Sequence, residues 1–188
     1  MEKTTIRIKH MCCSSCIETV TRELTTLGLK VESAKLGEVT YTESTKVKID
    51  LINNKLKAHG FEIITDGEEQ LVELIKTTII ELIYHSETLQ GLSYSEHLVK
   101  KIGKPYRHLS RIFSAHKKTT IEKYIILQKI ERTKELIEYG ELNFSEIAYQ
   151  LGYKNLQHLS TRFKAVTGIS MTSYKEIKNK KRNFINEI

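Results

Sequence analysis

The sequence has no apolar run long enough to cross a membrane. Uninterrupted apolar stretches such as residues 124–127 fall far below the roughly 18 residues that a membrane-spanning helix requires. Residues 1–9 alternate apolar and basic side chains near their end, and they include neither the apolar core nor the small-residue cleavage site of a secretion signal. We therefore expect a cytoplasmic protein with no membrane partner.

Cysteine is scarce and confined to one place. The three cysteines are Cys12, Cys13 and Cys16, and an odd number of thiols so close together cannot cross-link a fold through disulfides. The pattern favours a reducing compartment.

The motifs of common enzyme classes are also missing. The chain has no glycine-rich phosphate loop, no H-E-x-x-H motif and no nucleophile elbow. Adjacent carboxylates occur at Glu68 and Glu69, but these lie in a predicted linker. We therefore predict that the protein is not an enzyme.

Basic residues exceed acidic ones and are concentrated in the second half of the chain. The formal net charge is +7. Residues 97–121 contain seven Lys and Arg residues and no carboxylate, and residues 154–182 contain eight against the single acid Glu176. Because clustered positive charge attracts polyanions, the two zones indicate two contacts with nucleic-acid phosphates.

Residues 4–64 have the periodicity of two strand–helix–strand halves. Alternating apolar residues predict strands at 4–9, 29–33, 39–41 and 61–64. Helical spacing predicts helices over 14–27 and 49–58, the second burying Leu51, Ile52 and Leu56. The resulting order, βαββαβ, is that of a ferredoxin-like α+β domain.

The strand pattern ends at an acidic connector, residues 66–70, and the segments that follow are helical. Apolar residues recur at helical spacing over 71–83, and residues 121–139 form one long predicted helix. We therefore predict two domains, an α+β domain at 1–66 and an all-α domain at 67–188.

The all-α part contains an internal repeat at an offset of 50 residues. The identities are Ser95-Glu96 with Ser145-Glu146, Lys104 with Lys154, His108-Leu109-Ser110 with His158-Leu159-Ser160, Phe113 with Phe163, Ala115 with Ala165, and Tyr124 with Tyr174. Each copy has a short helix, a turn and a second helix, so the pattern predicts a double helix-turn-helix domain joined by the helix at 121–139.

The second helix of each copy is predicted to read double-stranded DNA, because such a helix fits a major groove about 12 Å wide. In the first copy this helix covers residues 105–115, with Pro105 in its first turn and a buried stripe of Leu109, Ile112 and Phe113. The opposite face presents Tyr106, Arg107, Ser110 and Arg111.

In the second copy the predicted N-cap is Asn155, and the buried stripe is Leu159, Phe163 and Val166. The outward residues are Leu156, Gln157, Ser160 and Thr161, with Lys154, Arg162 and Lys164 placed to touch phosphate. A merely solvated face is the alternative for each helix, and the duplication together with the basic bias favours DNA.

Residues 94–124 and 147–175, the latter reading IAYQLGYKNLQHLSTRFKAVTGISMTSYK, resemble the DNA-binding region of the AraC/XylS family. The resemblance covers roughly residues 70–178 and implies two recognition helices set into successive segments of the major groove. It places base-reading positions at Arg107, Ser110, Arg111, Gln157, Ser160 and Thr161. The chain departs from the family pattern at Gln157, Met171 and Lys129, where Ser, Pro and Arg are usual.

The segment His10-Met11-Cys12-Cys13-Ser14-Ser15-Cys16 lies where a predicted strand gives way to a helix. Cys13 and Cys16 form a C-x-x-C pair, and amides at a helix N-terminus stabilise thiolates. Soft sulfur ligands select Cu(I) or Zn(II), although closed tetrahedral zinc would lack two ligands. A redox pair and inert core thiols are the alternatives.

Residues 4–64 also resemble the heavy-metal-associated domain of copper chaperones and metal-pumping ATPases, in which M-x-C-x-x-C lies on this loop. Met11, Cys13 and Cys16 match that motif, and His10 stands where the family usually has Gly. Cys12 or His10 is a candidate third ligand, which would shift selectivity toward zinc or cadmium.

Together these observations predict a sequence-specific transcription regulator that responds to a soft metal ion. RNA polymerase is an expected partner, and the oligomeric state stays open because one chain already carries two reading helices. The alternative is constitutive DNA binding, with an N-terminal domain that carries metal or acts as a thiol redox sensor.

Overall fold

The computed structural model describes residues 3–42, 47–85, 93–177 and 185. The chain divides into two compact units, residues 1–77 and 78–188, which we call the N-terminal unit and the C-terminal unit. The first contains a small antiparallel sheet and the second is helical where described. The predicted combination of a sheet-containing N-terminal domain with a helical C-terminal domain is confirmed, while the predicted boundary near residue 67 stays a prediction.

The sheet of the N-terminal unit has four strands in the spatial order β2-β3-β1-β4, and neighbouring strands are antiparallel. The elements follow along the chain as β1 Lys3–Lys9, α1 Ser14–Thr26, β2 Lys30–Lys35, β3 Glu38–Thr42, α2 Ile49–Lys57 and β4 Glu62–Ile64. Alternation in β1 buries Ile6 and Ile8 on one face. The buried residues of the two helices are chiefly Val20 and Leu24 from α1 and Ile52 and Leu56 from α2.

The prediction that Leu51 is buried is wrong, since its side chain is 54% exposed. Ile52 and Leu56 lie four residues apart and therefore share one face of α2. Leu51 precedes Ile52 by one residue, which rotates it by about 100° away from that face. A helix of nine residues buries only this narrow stripe.

The turn between β2 and β3 requires glycine at residue 37. Gly37 has a φ of 75°, and a Cβ atom there would lie 3.0 Å from Cγ2 of Thr77. Its carbonyl oxygen accepts a hydrogen bond of 3.0 Å from the Ile8 amide. The turn therefore packs directly against residue 77 and is tied to the central strand.

The helices after the sheet begin with α3, Gly67–Ile80, which starts in the N-terminal unit and ends in the C-terminal unit. A π-helical segment, Glu81–His85, follows it directly. The remaining helices are α4 Tyr94–Ile102, α5 Tyr106–Lys117, α6 Ile121–Tyr139, α7 Phe144–Gln150, α8 Leu156–Thr167 and α9 Met171–Glu176. None of the described helices is long and apolar enough to span a membrane.

The two copies of the sequence repeat have matching structures. Helices α5 and α8 begin and end 50 residues apart. Ser93 and Asn143 each form a capping box with the Glu three residues later. The ring centroids of Phe113 and Tyr124 are 5.5 Å apart, and those of their counterparts, Phe163 and Tyr174, are 5.6 Å apart. The repeat in the sequence therefore corresponds to a repeated packing arrangement.

Candidate DNA interface and thiol cluster

Helix α5 is held by its inner face, which leaves the opposite face outward. Leu109, Ile112 and Phe113 are at most 2% exposed, as predicted. Pro105 lies immediately before the helix rather than inside it, and its carbonyl oxygen accepts hydrogen bonds from the amides of His108 and Leu109. The helix thus begins one residue later than predicted. The residue before a helix contributes its carbonyl oxygen to the first hydrogen bonds and does not need its amide, so proline fits this position.

The outer face of α5 is not uniform. Arg107 and Arg111 are exposed, whereas Ser110 and Tyr106 are half-buried. The Tyr106 hydroxyl donates a hydrogen bond to the Glu122 carboxylate at the start of α6. Burial and this hydrogen bond raise the pKa of Tyr106. The two arginines are therefore free to face a ligand, while Tyr106 already anchors α5 to α6.

Helix α8 begins at a true N-cap. The Asn155 side chain accepts a hydrogen bond of 2.9 Å from the His158 amide, which confirms the predicted cap. Leu159 and Phe163 are fully buried, but Val166 is 40% exposed, so its predicted burial is wrong. Val166 corresponds to His116 in the first copy, which is also exposed, so the repeat itself marks this position as outward.

The outer face of α8 is more polar than that of α5. Gln157 and Thr161 are exposed, Leu156 is 36% exposed, and Ser160 is half-buried. The Thr161 hydroxyl donates to the Gln157 carbonyl oxygen at 2.8 Å. Gln157 is therefore the side chain on this face with the most hydrogen-bonding capacity left for a base edge.

Exposed cations surround both outer faces. They are Lys104, Lys117 and Lys118 near α5, and Lys154, Arg162 and Lys164 near α8. The last part of the second basic zone, residues 178–182, lies outside the described residues. The predicted DNA-contacting residues thus lie on the outer faces of two matched helices, with Tyr106 and Ser110 in the first and Ser160 in the second less accessible than expected; their role stays a prediction.

The three thiols lie together at the start of α1. Cys13 is the N-cap residue of α1. Its Sγ atom lies 3.4 Å from Sγ of Cys16, and Sγ of Cys12 lies 3.9 Å from Sγ of Cys16. All three sulfur atoms are within 4.8 Å of one another and half-buried. Backbone bonds from the amides of Cys16 and Ile17 to the Cys13 carbonyl oxygen hold this turn. We call these residues the thiol cluster.

The thiols of the cluster differ in how readily they ionise. Burial, together with the neighbouring thiols Cys16 and Cys13, raises the pKa of Cys12 to about 12. Burial also opposes ionisation of Cys16, but hydrogen bonds from the backbone and side chains of Cys12 and Cys13 outweigh it and lower the pKa of Cys16. Three close sulfur atoms, of which Cys16 has a lowered pKa, are a donor set that suits a soft ion.

The other two predicted ligands have different environments. Met11 is 1% exposed and belongs to the core. His10 is half-buried with a φ of 69°, a left-handed conformation that glycine adopts without strain. Among the described residues, the group of potential ligand side chains within 4.8 Å comprises the three cysteines and not His10.

The buried ionisable side chains that the sequence reasoning missed include Glu73, Lys76 and Lys129. The Glu73 carboxylate accepts a hydrogen bond of 3.2 Å from the His10 amide and lies 3.1 Å from the Lys76 ammonium, with both side chains at most 10% exposed. Lys129, in α6, is 8% exposed. Glu73 and Lys76 have the i, i+3 spacing of a helical ion pair, which was a usable signal. No local pattern marks Lys129 as buried.

Residues 98–177 match the family model of the helix-turn-helix domain. The matched range begins within α4 and ends just after α9, so it contains α5 and α8, the predicted reading helices of the two copies. The predictions of a DNA-binding transcription regulator, and of a protein that is not an enzyme, agree with this helix-turn-helix domain.

A solved structure similar to the chain is the crystal structure of the transcriptional regulator CdpR from Pseudomonas aeruginosa, with 14% identity and a TM-score of 0.42. The similarity covers 92% of this chain and 55% of that one, so the chain spans about half the length of this relative. None of the curated proteins compared with the chain matches it.

Proposed function

We propose that this chain is an AraC-type, sequence-specific transcription regulator of the cytoplasm, and that it responds to a soft metal ion held by the thiol cluster. The observation that carries the DNA part is the duplication of one helix-turn-helix geometry, with the outer faces of α5 and α8 exposed in both copies. The observation that carries the metal part is the convergence of three sulfur atoms within 4.8 Å.

The two reading helices have different tasks in this proposal. Arg107 and Arg111 are suited to bidentate contacts with guanine, and Gln157 is suited to adenine. The surrounding lysines contact phosphates, which positions the protein without reading sequence. RNA polymerase is the expected partner at the promoter, and a single chain is sufficient to occupy both half-sites.

A pair of substitutions tests the DNA part. Arg107→Ala should cost about 1–3 kcal/mol of binding and relax base preference at one position if the side chain reads a base. Lys164→Ala should weaken binding to all sequences alike and reduce the slope of log K against log salt by about 0.9. Both are measured by titration of a site selected from random DNA. Equal losses on selected and random DNA from Arg107→Ala would contradict its role.

The N-terminal unit supports a heavy-metal-associated function. Its elements follow in the order β1, α1, β2, β3, α2, β4 with strand order β2-β3-β1-β4, which is compatible with a ferredoxin-like domain. The thiol cluster lies where β1 gives way to α1, with Cys12 and Cys13 before the helix and Cys16 in its first turn, which is where the resembling domains have their metal loop. The donor set fits a soft ion: Cys13 and Cys16 would hold Cu(I), and Cys12 would serve as the third ligand for Zn(II) or cadmium.

The link from the cluster to the helical half runs through α3 in this proposal. The His10 amide, two residues before Cys12, donates to Glu73 on α3. The same helix continues into the C-terminal unit, where the hydroxyl of Tyr84 donates to the Gln128 carbonyl oxygen of α6 at 3.4 Å. If metal binding orders the thiol loop, the hydrogen bond from the His10 amide to Glu73 would restrain α3 differently. The coupling free energy between two binding sites in a protein is typically about 1–3 kcal/mol.

The metal part is tested with the full chain, purified without oxygen and titrated with Cu(I) and with Zn(II). Cys13→Ser should abolish uptake of both, whereas Cys12→Ser should weaken Zn(II) far more than Cu(I). Ser15→Ala, an exposed change in the same loop, is the control and should leave uptake unchanged. Uptake by Cys13→Ser equal to that of the unchanged protein would contradict the site.

DNA affinity with and without each ion then separates the alternatives. A change of at least about fivefold that Cys13→Ser removes supports metal sensing. Unchanged affinity in the presence of bound metal would show a carrier domain beside a constitutive DNA-binding domain. A change produced by a Cys13–Cys16 disulfide in metal-free buffer would show a redox sensor, which the Sγ separation of 3.4 Å favours as the second candidate.

A further inference from the structure

Lys129 lies in the middle of α6, the helix that joins the two copies, and it is buried although it carries an amine. Its Nζ atom lies 4.8 Å from the centroid of the Tyr94 ring and 4.8 Å from the centroid of the Tyr153 ring. Both distances are within the roughly 6 Å over which an aromatic face attracts a cation. The lysine is therefore enclosed by two ring faces.

The two rings come from different copies of the repeat. Tyr94 is the first residue of α4, in the first helix-turn-helix. Tyr153 lies in the turn between α7 and α8, in the second, where its amide donates to the Ala148 carbonyl oxygen. A single side chain on the joining helix thus touches both copies.

This arrangement is costly for a residue that only fills space. Among the residues that the structure describes, no carboxylate forms an ion pair with Lys129, and burial lowers the pKa of Lys129 to about 8. An apolar side chain of similar length would occupy the same volume without desolvating an ammonium group. The attraction to two ring faces is what the ammonium group adds.

We propose that Lys129 is a positioning residue that holds the two helix-turn-helix copies at one separation, so that the protein accepts only one spacing between its two half-sites on DNA. This inference rests on the proposed reading of DNA by α5 and α8. It concerns how far apart the half-sites lie and not which bases are read.

The physical reason is the size of the displacement that a changed spacing demands. One extra base pair moves a half-site by about 3.4 Å along the axis and turns it by about 34°. A shift of one copy by such a distance would carry its ring away from the ammonium group, beyond the range of attraction. The contacts between Phe113 and Tyr124 and between Phe163 and Tyr174 lie within single copies and would survive it.

The experiment compares spacing variants of one DNA site. The full chain first selects a site from random DNA, and that site is then remade with one base pair inserted or deleted between the half-sites. For the unchanged protein we expect affinity to fall at least about tenfold on each altered spacing. For Lys129→Met we expect a loss of about threefold or less, with the same base preference within each half-site.

Four further variants serve as controls and as a second test of the same inference. Lys129→Arg keeps a cation between the rings and should keep the tenfold discrimination. Lys123→Met makes the same change at an exposed position of α6 and should also keep it. Tyr153→Leu removes one ring and should relax spacing, whereas Tyr153→Phe keeps the ring and loses only a buried hydroxyl without a hydrogen-bond partner, so it should not.

The outcomes are separable. Spacing discrimination by Lys129→Met equal to that of the unchanged protein overturns the inference and leaves DNA reading intact. If Lys129→Met does not fold, equal discrimination by Tyr153→Leu and Tyr153→Phe overturns it instead. A sequence-specific unchanged protein that tolerates every spacing also overturns it. Failure of the unchanged protein to select any sequence would refute the proposed function itself.

Discussion

Lys118 and Gly168 hold the same position in the two helix-turn-helix copies, one residue beyond the ends of α5 and α8. Both residues have left-handed backbone conformations. The φ angle is 52° at Lys118 and 80° at Gly168. A residue with a side chain adopts this conformation at a cost of about 1 kcal/mol or more. The first copy therefore carries a local strain that the second avoids.

Replacing Lys118 by Gly should raise the free energy of unfolding by about 1 kcal/mol, and Gly168→Ala should lower it by about the same amount. No atom lies within 4 Å of a Cβ built at Gly168, so the second effect comes from the backbone alone. Urea denaturation measures both. Lys117→Gly, inside α5, is the control and should destabilise; equal destabilisation by Lys118→Gly would refute the strain.

Lys129 should make stability depend on pH above neutrality. Burial lowers its pKa in the folded chain to about 8 from an ordinary value of 10.5, while the Tyr94 and Tyr153 ring faces oppose this by favouring the cation. Between these values the unfolded chain binds more protons, so the free energy of unfolding contributed by this group rises with pH. Below pH 8 Lys129 is charged in the folded chain, so the whole desolvation cost of its ammonium group lowers the free energy of unfolding.

We expect the difference in unfolding free energy between the unchanged protein and Lys129→Met to shift in favour of the unchanged protein by roughly 1–2 kcal/mol from pH 7.5 to 9.5. Urea denaturation at the two pH values gives this difference, and comparison with the variant cancels the other groups that titrate there. A pH-independent difference would show that the ring faces keep the lysine charged throughout.

Helices α5 and α8 are equivalent in length and packing but begin in different ways. The Asn155 side chain caps α8, whereas Pro105 precedes α5 without a side-chain cap. A lost N-cap costs typically about 1 kcal/mol. The N-terminal turn of α8 carries Leu156 and Gln157, so the cap also maintains part of the predicted reading face.

Accordingly, Asn155→Ala should lower the free energy of unfolding by about 1 kcal/mol, and Asn155→Ser should restore most of it. The alanine variant should also bind the selected DNA more weakly, because Gln157 lies in the turn that frays. Thermal denaturation and DNA titration measure the two effects. Full stability in Asn155→Ala would show that tertiary packing alone holds this turn.

At the scale of the whole molecule, α3 is the element that belongs to both units. The paired substitution Glu73→Met with Lys76→Met removes a buried ion pair without leaving a lone charge, a change that is often tolerated. It also leaves the His10 amide without its acceptor. We expect metal uptake by the thiol cluster to persist while the effect of metal on DNA affinity falls at least about threefold.

The control for this prediction is Lys30→Met with Glu32→Met, which removes an ion pair of 3.0 Å that lies on β2 and is largely exposed at the lysine. It should leave both measurements unchanged. If the Glu73 and Lys76 variant kept the full effect of metal on DNA affinity, the link through α3 would be wrong.

Much of this architecture was readable from the sequence by itself, including the strands and helices of the N-terminal unit, the 50-residue repeat, the long helix α6 and the Asn155 cap. These features depend on periodicity and capping, which act over a few neighbouring residues. The predictions that Leu51 and Val166 are buried were wrong. Periodicity indicates which face of a helix packs against the core, but not how wide the buried part of that face is.

Only the tertiary structure decided which distant groups meet. It brings the His10 amide to Glu73, encloses Lys129 between the rings of Tyr94 and Tyr153, and commits Tyr106 to Glu122 rather than to solvent. These partners are separated along the chain, and their approach depends on how whole helices pack. Periodicity and capping depend on neighbouring residues and carry no information on how distant helices pack, so these contacts of His10, Lys129 and Tyr106 could not be predicted from the sequence.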